Sequence, residues 1–149
     1  MQPAIEAEVM EAIIRDGVPL IGAFGVTVTA LGAGTATLLM PCREDFVRPG
    51  GTITGPALFG LADVALYAAV LSRVGRVELA VTTSMAINFL RRPALVPVVA
   101  EARLLKLGKR LAYGEVLLFS QGEPEPVAHA TGTYSIPPRP SVNATGEAV

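Results

Sequence analysis

Asp63 is the one charged side chain between Arg48 and Arg73. It stands inside an apolar run, Gly55-Pro56-Ala57-Leu58-Phe59-Gly60-Leu61-Ala62-Asp63-Val64-Ala65-Leu66-Tyr67-Ala68-Ala69-Val70-Leu71. A carboxylate taken out of water is costly unless it is paired, hydrogen-bonded or proton-shifted. Two helical turns behind a glycine-rich loop, such a group is a candidate general base or nucleophile. The plainer alternative is a structural carboxylate held by a neighbouring element or a subunit contact. Gly55 opens the same run. At a helix N-terminus its N–H can donate to an oxygen that becomes negative in acyl transfer, and the helix dipole adds to this; ordinary helix entry is the alternative. Eight positions separate Gly55 from Asp63, about 12 Å of rise along a straight helix. One substrate atom does not bridge that gap within one subunit. Asp63 of one chain facing Gly55 of another solves the geometry, and this requires a dimer.

Other candidates are weaker by residue type. Thr83 and Ser84 follow the run, and a hydroxyl there can orient water beside Asp63; a strand threonine is commonly no more than that. Arg91-Arg92 and Lys106, Lys109 and Arg110 form two local basic clusters suited to the phosphates of a large anionic cofactor, or to a solvated turn. Phe46, Phe59, Leu66 and Tyr67 can line an apolar pocket or belong to the core. His129 is the only histidine, so neither a Ser-His-Asp nor a Cys-His pairing can be argued. Cys42 with His129 is too few for a zinc site, and Gly50-Gly51 with Gly55 matches no phosphate-loop or dinucleotide spacing. No metal is expected.

The chain has 149 residues, 51% hydrophobic and 17% charged, which suits one domain and argues against global disorder. Its formal net charge of -1 offers no basic field for nucleic acid. The excess of apolar residues over charge suggests that surface is covered by a partner subunit. A single cysteine forbids an intramolecular disulfide and suits a reducing cytoplasm. The N-terminus has no basic start and no apolar signal core. The run Ala57 to Leu71, interrupted by Asp63, is too short to span a bilayer.

These residues need elements to position them. Ala4 to Asp16 reads as an amphipathic helix with Ile5, Val9, Ala12 and Ile13 on one face, ended by Gly17 and Pro19. Gly25 to Leu31 and Thr35 to Met40 read as a hairpin about Gly32-Ala33-Gly34. A loop follows, then a helix from Gly55-Pro56 to about Val74, capped by Thr54 or Thr52 and apolar nearly all round. Val81 to Phe89 alternates, with Val81, Thr83, Met85, Ile87 and Phe89 on one face. Val98 to Leu107, Leu111 to Ser120 and Val127 to Ser135 complete a run of antiparallel strands. The order implies an α+β architecture: one long helix wrapped by a curved antiparallel sheet. Residues 1–136 form a single domain, with 1–20 as helix and lead-in, and 137–149 read as a disordered tail.

Two segments, Gly51-Thr52-Ile53-Thr54-Gly55-Pro56-Ala57-Leu58-Phe59-Gly60-Leu61-Ala62-Asp63 and Val81-Thr82-Thr83-Ser84-Met85-Ala86-Ile87-Asn88-Phe89-Leu90-Arg91-Arg92-Pro93-Ala94, resemble the hotdog-fold acyl-CoA thioesterases of the phenylacetate-degradation type. Ala100-Glu101-Ala102 through Gly108-Lys109-Arg110, and Ala130-Thr131-Gly132-Thr133-Tyr134, extend the resemblance, which runs from about Phe24 to Ile136. It implies a hotdog fold that dimerises through its sheet, often paired again into a homotetramer, with sites at the dimer interface. It implies Asp63 as the acid on the central helix, Gly55 as the glycine that polarises the thioester carbonyl, and Thr83 as the hydroxyl on the next strand. Arg48, Thr54, Ser84, Arg91, Arg92, Lys109 and Arg110 are then the candidates for holding substrate. CoA enters only as part of the substrate, with no separate cofactor. Many members carry an asparagine where Arg48 stands, and His-Gly-Gly where this chain has Thr54-Gly55-Pro56. The site therefore keeps the acid and one amide donor but lacks a side-chain donor. Hydrolysis of an acyl-CoA thioester is the activity implied. A non-catalytic acyl-CoA-binding or scaffold protein is the alternative, and a hydratase is disfavoured because no histidine stands near the central helix.

Overall fold

A computed structural model describes residues 1–138 and 144–145. Helix α1 (Ala7–Gly17) buries Met10, Ile13 and Ile14. The lead-in bends at Ala4 and Ile5, with the Ala4 N–H donating to the Ser72 carbonyl at 2.7 Å, so the helix starts three residues later than its apolar pattern suggests. Its buried stripe is rotated accordingly, leaving Val9 and Ala12 half-buried. Pro19 does more than end α1: it opens a short second helix, α2 (Pro19–Gly22), at a position that needs no N–H partner.

Strands β1 (Thr27–Gly32) and β2 (Thr35–Met40) form the first hairpin. A small ribbon follows, β3 (Val47–Arg48) against β4 (Thr52–Ile53). Its turn uses Gly50 and Gly51, whose φ values of 97° and 71° suit residues without a side chain. Helix α3 (Gly55–Val74) carries Pro56 in its first turn and ends at Gly75, at φ 83°, with the Gly75 N–H on the Leu71 carbonyl. Strands β5 (Val81–Phe89), β6 (Val98–Leu107), β7 (Leu111–Ser120) and β8 (Pro126–Ser135) complete a six-stranded antiparallel sheet ordered β1-β2-β6-β7-β8-β5. This is the hotdog arrangement, with the sheet wrapped about α3.

Thirteen residues of α3 are buried, from Ala57 to Ser72. Helix α3 lengthens the apolar run Ala57 to Leu71 to twenty residues, enough by length and composition alone to cross a membrane. Most of its apolar surface is covered by the sheet, as in a core helix. Leu66 shows how closely the layers approach. Its two methyls fill a hollow formed by Gly114 and Gly132, which face each other across β7 and β8. A Cβ at Gly114 would lie 2.6 Å from Leu66 Cδ1, and one at Gly132 would lie 2.9 Å from Leu66 Cδ2. At the far end of α3, buried Ser72 accepts the Gly34 N–H at 2.8 Å and donates to the Ala69 carbonyl at 2.6 Å, fixing the β1–β2 turn to the helix. The tail expected from 137 onward falls largely on 139–143 and 146–149, outside the described residues.

Candidate active site

Asp63 projects from the middle of α3 toward the seam between β5 and β8. Its Oδ1 accepts two hydroxyl hydrogen bonds, from Thr82 Oγ1 at 2.6 Å and from the Tyr134 phenol at 2.6 Å. The phenol also lies 2.9 Å from the Asp63 backbone carbonyl. Thr82 and Tyr134 are cross-strand partners, so the sheet presents both hydroxyls to one carboxylate. Tyr134 stacks on Tyr67 with ring centroids 5.9 Å apart, and the Tyr67 hydroxyl donates to the Glu78 carbonyl at 3.0 Å. Burial, followed by the charge of Asp63 and its hydrogen bond, pushes the Tyr134 phenol far above the usual tyrosine range, while Thr82 acts slightly in the opposite sense. Burial and then Glu78 raise that of Tyr67. These groups line a cavity of about 370 Å³ whose apolar walls come from Ile13, Val18, Ile21 and Leu79 to Val81.

The hydroxyl beside Asp63 is therefore that of Thr82, where the sequence pointed to Thr83. A bulge accounts for the difference. The β5–β8 register jumps from Thr82↔Tyr134 to Ser84↔Thr133, leaving Thr83 as the extra residue. One extra residue reverses the side on which later residues fall. Thr82, Met85 and Ile87 are the partly buried residues of the strand, while Val81, Thr83 and Phe89 are exposed. Thr83 Oγ1 donates instead to the Thr133 carbonyl, 3.2 Å away at the surface. Ser84 is also exposed and lines neither the Asp63 cavity nor the cleft at Gly55.

Gly55 opens a second, separate hollow of about 790 Å³ at the N-terminus of α3. Arg48, Thr54, Arg91 and Arg92 line it, so four of the expected substrate-holding residues do come together. Phe89 covers Gly55: a Cβ there would lie 3.2 Å from its Cζ. Thr54 sits at the N-cap with extended backbone but makes no side-chain cap, and the Thr52 hydroxyl donates to the Pro93 carbonyl at 3.0 Å. Neither threonine caps α3, contrary to expectation, and the Gly55 and Ala57 amides are left uncapped by them. Arg91 donates to the Pro126 carbonyl at 2.6 Å and pairs with Glu125 at 3.2 Å, whereas no ion pair among the described residues takes Arg48 or Arg92. Lys109 and Arg110 lie elsewhere, around a cavity shared with Val77, Ile136 and Pro137. His129 faces Glu115 at 3.8 Å, away from both hollows, and Phe46 and Leu66 are core. The Asp63 cavity and the Gly55 cleft share no lining residue. Among the described residues, no group of three or more metal-ligating side chains occurs.

The profile of the thioesterase superfamily matches residues 50–127, which span β4, α3 and the strands through β7. The chain belongs to the thioesterase superfamily. A crystal structure of a provisionally named thioesterase from a Silicibacter species is 44% identical, with a TM-score of 0.83 over 93% of this chain and 96% of that one. The phenylacetic acid degradation protein PaaI from Thermus thermophilus, solved as a single-residue mutant, is 31% identical, with a TM-score of 0.70 over 78% of this chain and 97% of its own. A provisionally named esterase of Thermoplasma acidophilum is 26% identical over 109 residues, 73% of this chain and 81% of its own. Membership in the thioesterase superfamily supports a hydrolase acting on thioesters, and the matched segment contains both Gly55 and Asp63.

Tyr134 is the site residue that sequence reasoning missed. Its segment carried the family resemblance, but only the strand phase points it inward. Ala128, Ala130, Gly132 and Tyr134 are the buried alternate positions of β8, and after three small residues the large polar one stands out.

Proposed function

We propose that this chain hydrolyses acyl-CoA thioesters as a homodimer, with each site built from two subunits. One observation carries this. Asp63 is tied to the Thr82 end of β5, and Gly55 lies under Phe89 at the other end of the same strand. Strand β5 is a sheet edge, paired only with β8. Two copies of an edge strand pairing antiparallel about its middle bring each Thr82 end opposite the partner's Phe89 end. Asp63 of one protomer then faces Gly55 of its partner, which the separation within one chain does not allow. Val81 and Phe89, both more than half exposed on this edge, are covered by the same pairing. A second pairing into a homotetramer follows the family resemblance, and the lone Cys42 suits a cytoplasmic enzyme.

In this site the thioester carbonyl oxygen accepts the Gly55 N–H at the positive end of α3. Asp63 takes a proton from water as the water oxygen bonds to the carbonyl carbon. The tetrahedral oxyanion collapses, the carbon–sulfur bond breaks, and the CoA thiolate leaves and recovers the proton. Direct attack by Asp63 gives an anhydride that water then opens, with the same products. Arg48, Arg91 and Arg92 supply cations for the CoA phosphates.

The test is CoA release from short, medium, long and aromatic acyl-CoA substrates by the wild type and Asp63→Ala. Turnover that falls roughly 10²- to 10⁴-fold in the variant, the range for a lost general base, supports the hydrolase. Acyl-CoA binding with no turnover on any substrate overturns it in favour of a binding protein.

A further inference from the structure

We infer that Tyr134 is a positioning residue: together with Thr82 it pins Oδ1 of Asp63, so that Oδ2 alone is presented to the reacting group. The consequence for turnover rests on the hydrolase proposed above, whereas the geometry stands without it.

A carboxylate oxygen offers about two lone-pair directions. Both on Oδ1 are taken, by hydroxyls at 2.6 Å each. No hydrogen bond among the described residues reaches Oδ2, yet no buried side-chain oxygen or nitrogen there lacks a partner. Oδ2 must therefore open into the cavity. The phenol is suited to act as donor: it is buried, and the neighbouring carboxylate opposes its ionisation. Its ring is held in turn by the stack on Tyr67, which the Tyr67–Glu78 hydrogen bond anchors. The terminal torsion of an aspartate is broad and nearly two-fold, so a carboxylate held by one donor can exchange its oxygens. Two donors on one oxygen, delivered by two strands of fixed register, prevent that exchange.

The expected cost of losing the phenol hydroxyl is a misaimed carboxylate. Tyr134→Phe keeps the ring and the stack. Its kcat should fall about 10- to 100-fold, the scale of a small misplacement of a catalytic group, with KM within about twofold of wild type. Thr82→Val should behave likewise, while Thr82→Ser, which keeps the donor, should restore most of the activity. Folded Tyr134→Phe and Thr82→Val with wild-type kcat overturn the inference. A readout independent of turnover is a double-mutant cycle on the urea midpoint with Tyr134→Phe and Asp63→Ala. Residues in direct contact give non-additive changes; additive changes overturn the pinning. Should wild type lack turnover while the cycle is non-additive, it is the hydrolase that fails and the pinned geometry that stands.

Discussion

Tyr134 is as much a stability determinant as a neighbour of Asp63. An unfolded chain ionises its tyrosines near pH ~10, whereas the folded protein raises the pKa of both Tyr134 and Tyr67. Above that pH the folded state binds more protons than the unfolded one, so stability falls as pH rises through the unfolded value. The contribution is fully present below pH ~10, the unfolded value, and is lost toward the raised folded one. Urea midpoints measured at pH 8 and 11 should therefore drop at the higher pH, and Tyr134→Phe should shrink the drop. Asp63 was legible from sequence because a lone charge in an apolar run must be satisfied somewhere. What satisfies it was not legible. Thr82 and Thr83 are the same residue type side by side, so composition gives no reason to choose between them, and Tyr134 lies 71 positions away in a strand whose register decides where it points.

Strand and helix boundaries were largely readable, because α3, β5, β6 and β7 each carry an uninterrupted pattern between turn residues. The bulge in β5 was not: Val81, Thr83, Met85, Ile87 and Phe89 read as continuous alternation, and only pairing with β8 shows where the phase breaks. The glycine hollow under Leu66 was hidden for a similar reason, since Gly114 and Gly132 become neighbours only through the β7–β8 register. It makes a sharp mutational prediction. Gly132→Ala should destabilise by about 1–3 kcal/mol through overpacking. Its closest contacts are the ends of the Leu66 and Met85 side chains, so Leu66→Val should partly relieve it. Gly114→Ala meets the Arg103 backbone carbonyl at 2.6 Å as well as Leu66, so the same second change should relieve it less. Chemical denaturation of the single and double variants checks both.

A site divided between two chains has a signature that no single-chain site can produce. In the proposed dimer, Asp63→Ala would spoil one half of each site and Gly55→Val, which crowds Phe89, the other. Each alone should lose nearly all CoA release. Mixed and allowed to exchange subunits, random pairing makes half the dimers hybrid, each with one site of two intact, so about a quarter of wild-type activity should return. Sedimentation should give a mass near 31 kDa, twice the 15.5 kDa chain, or a multiple of it. The opposite margin of the sheet is closed to such pairing. There α1 packs along β1, Glu11 Oε1 takes the Val28 N–H at 2.8 Å, and a bulge between Val28 and Ala30 breaks the ladder. An exposed sheet edge is a template for endless addition, the route to filaments. A sheet sealed along β1 and open along β5 has valence one. Joining a second copy uses that valence up on both sides, so strand-by-strand growth terminates at two chains and an apolar, adhesive edge becomes compatible with solubility.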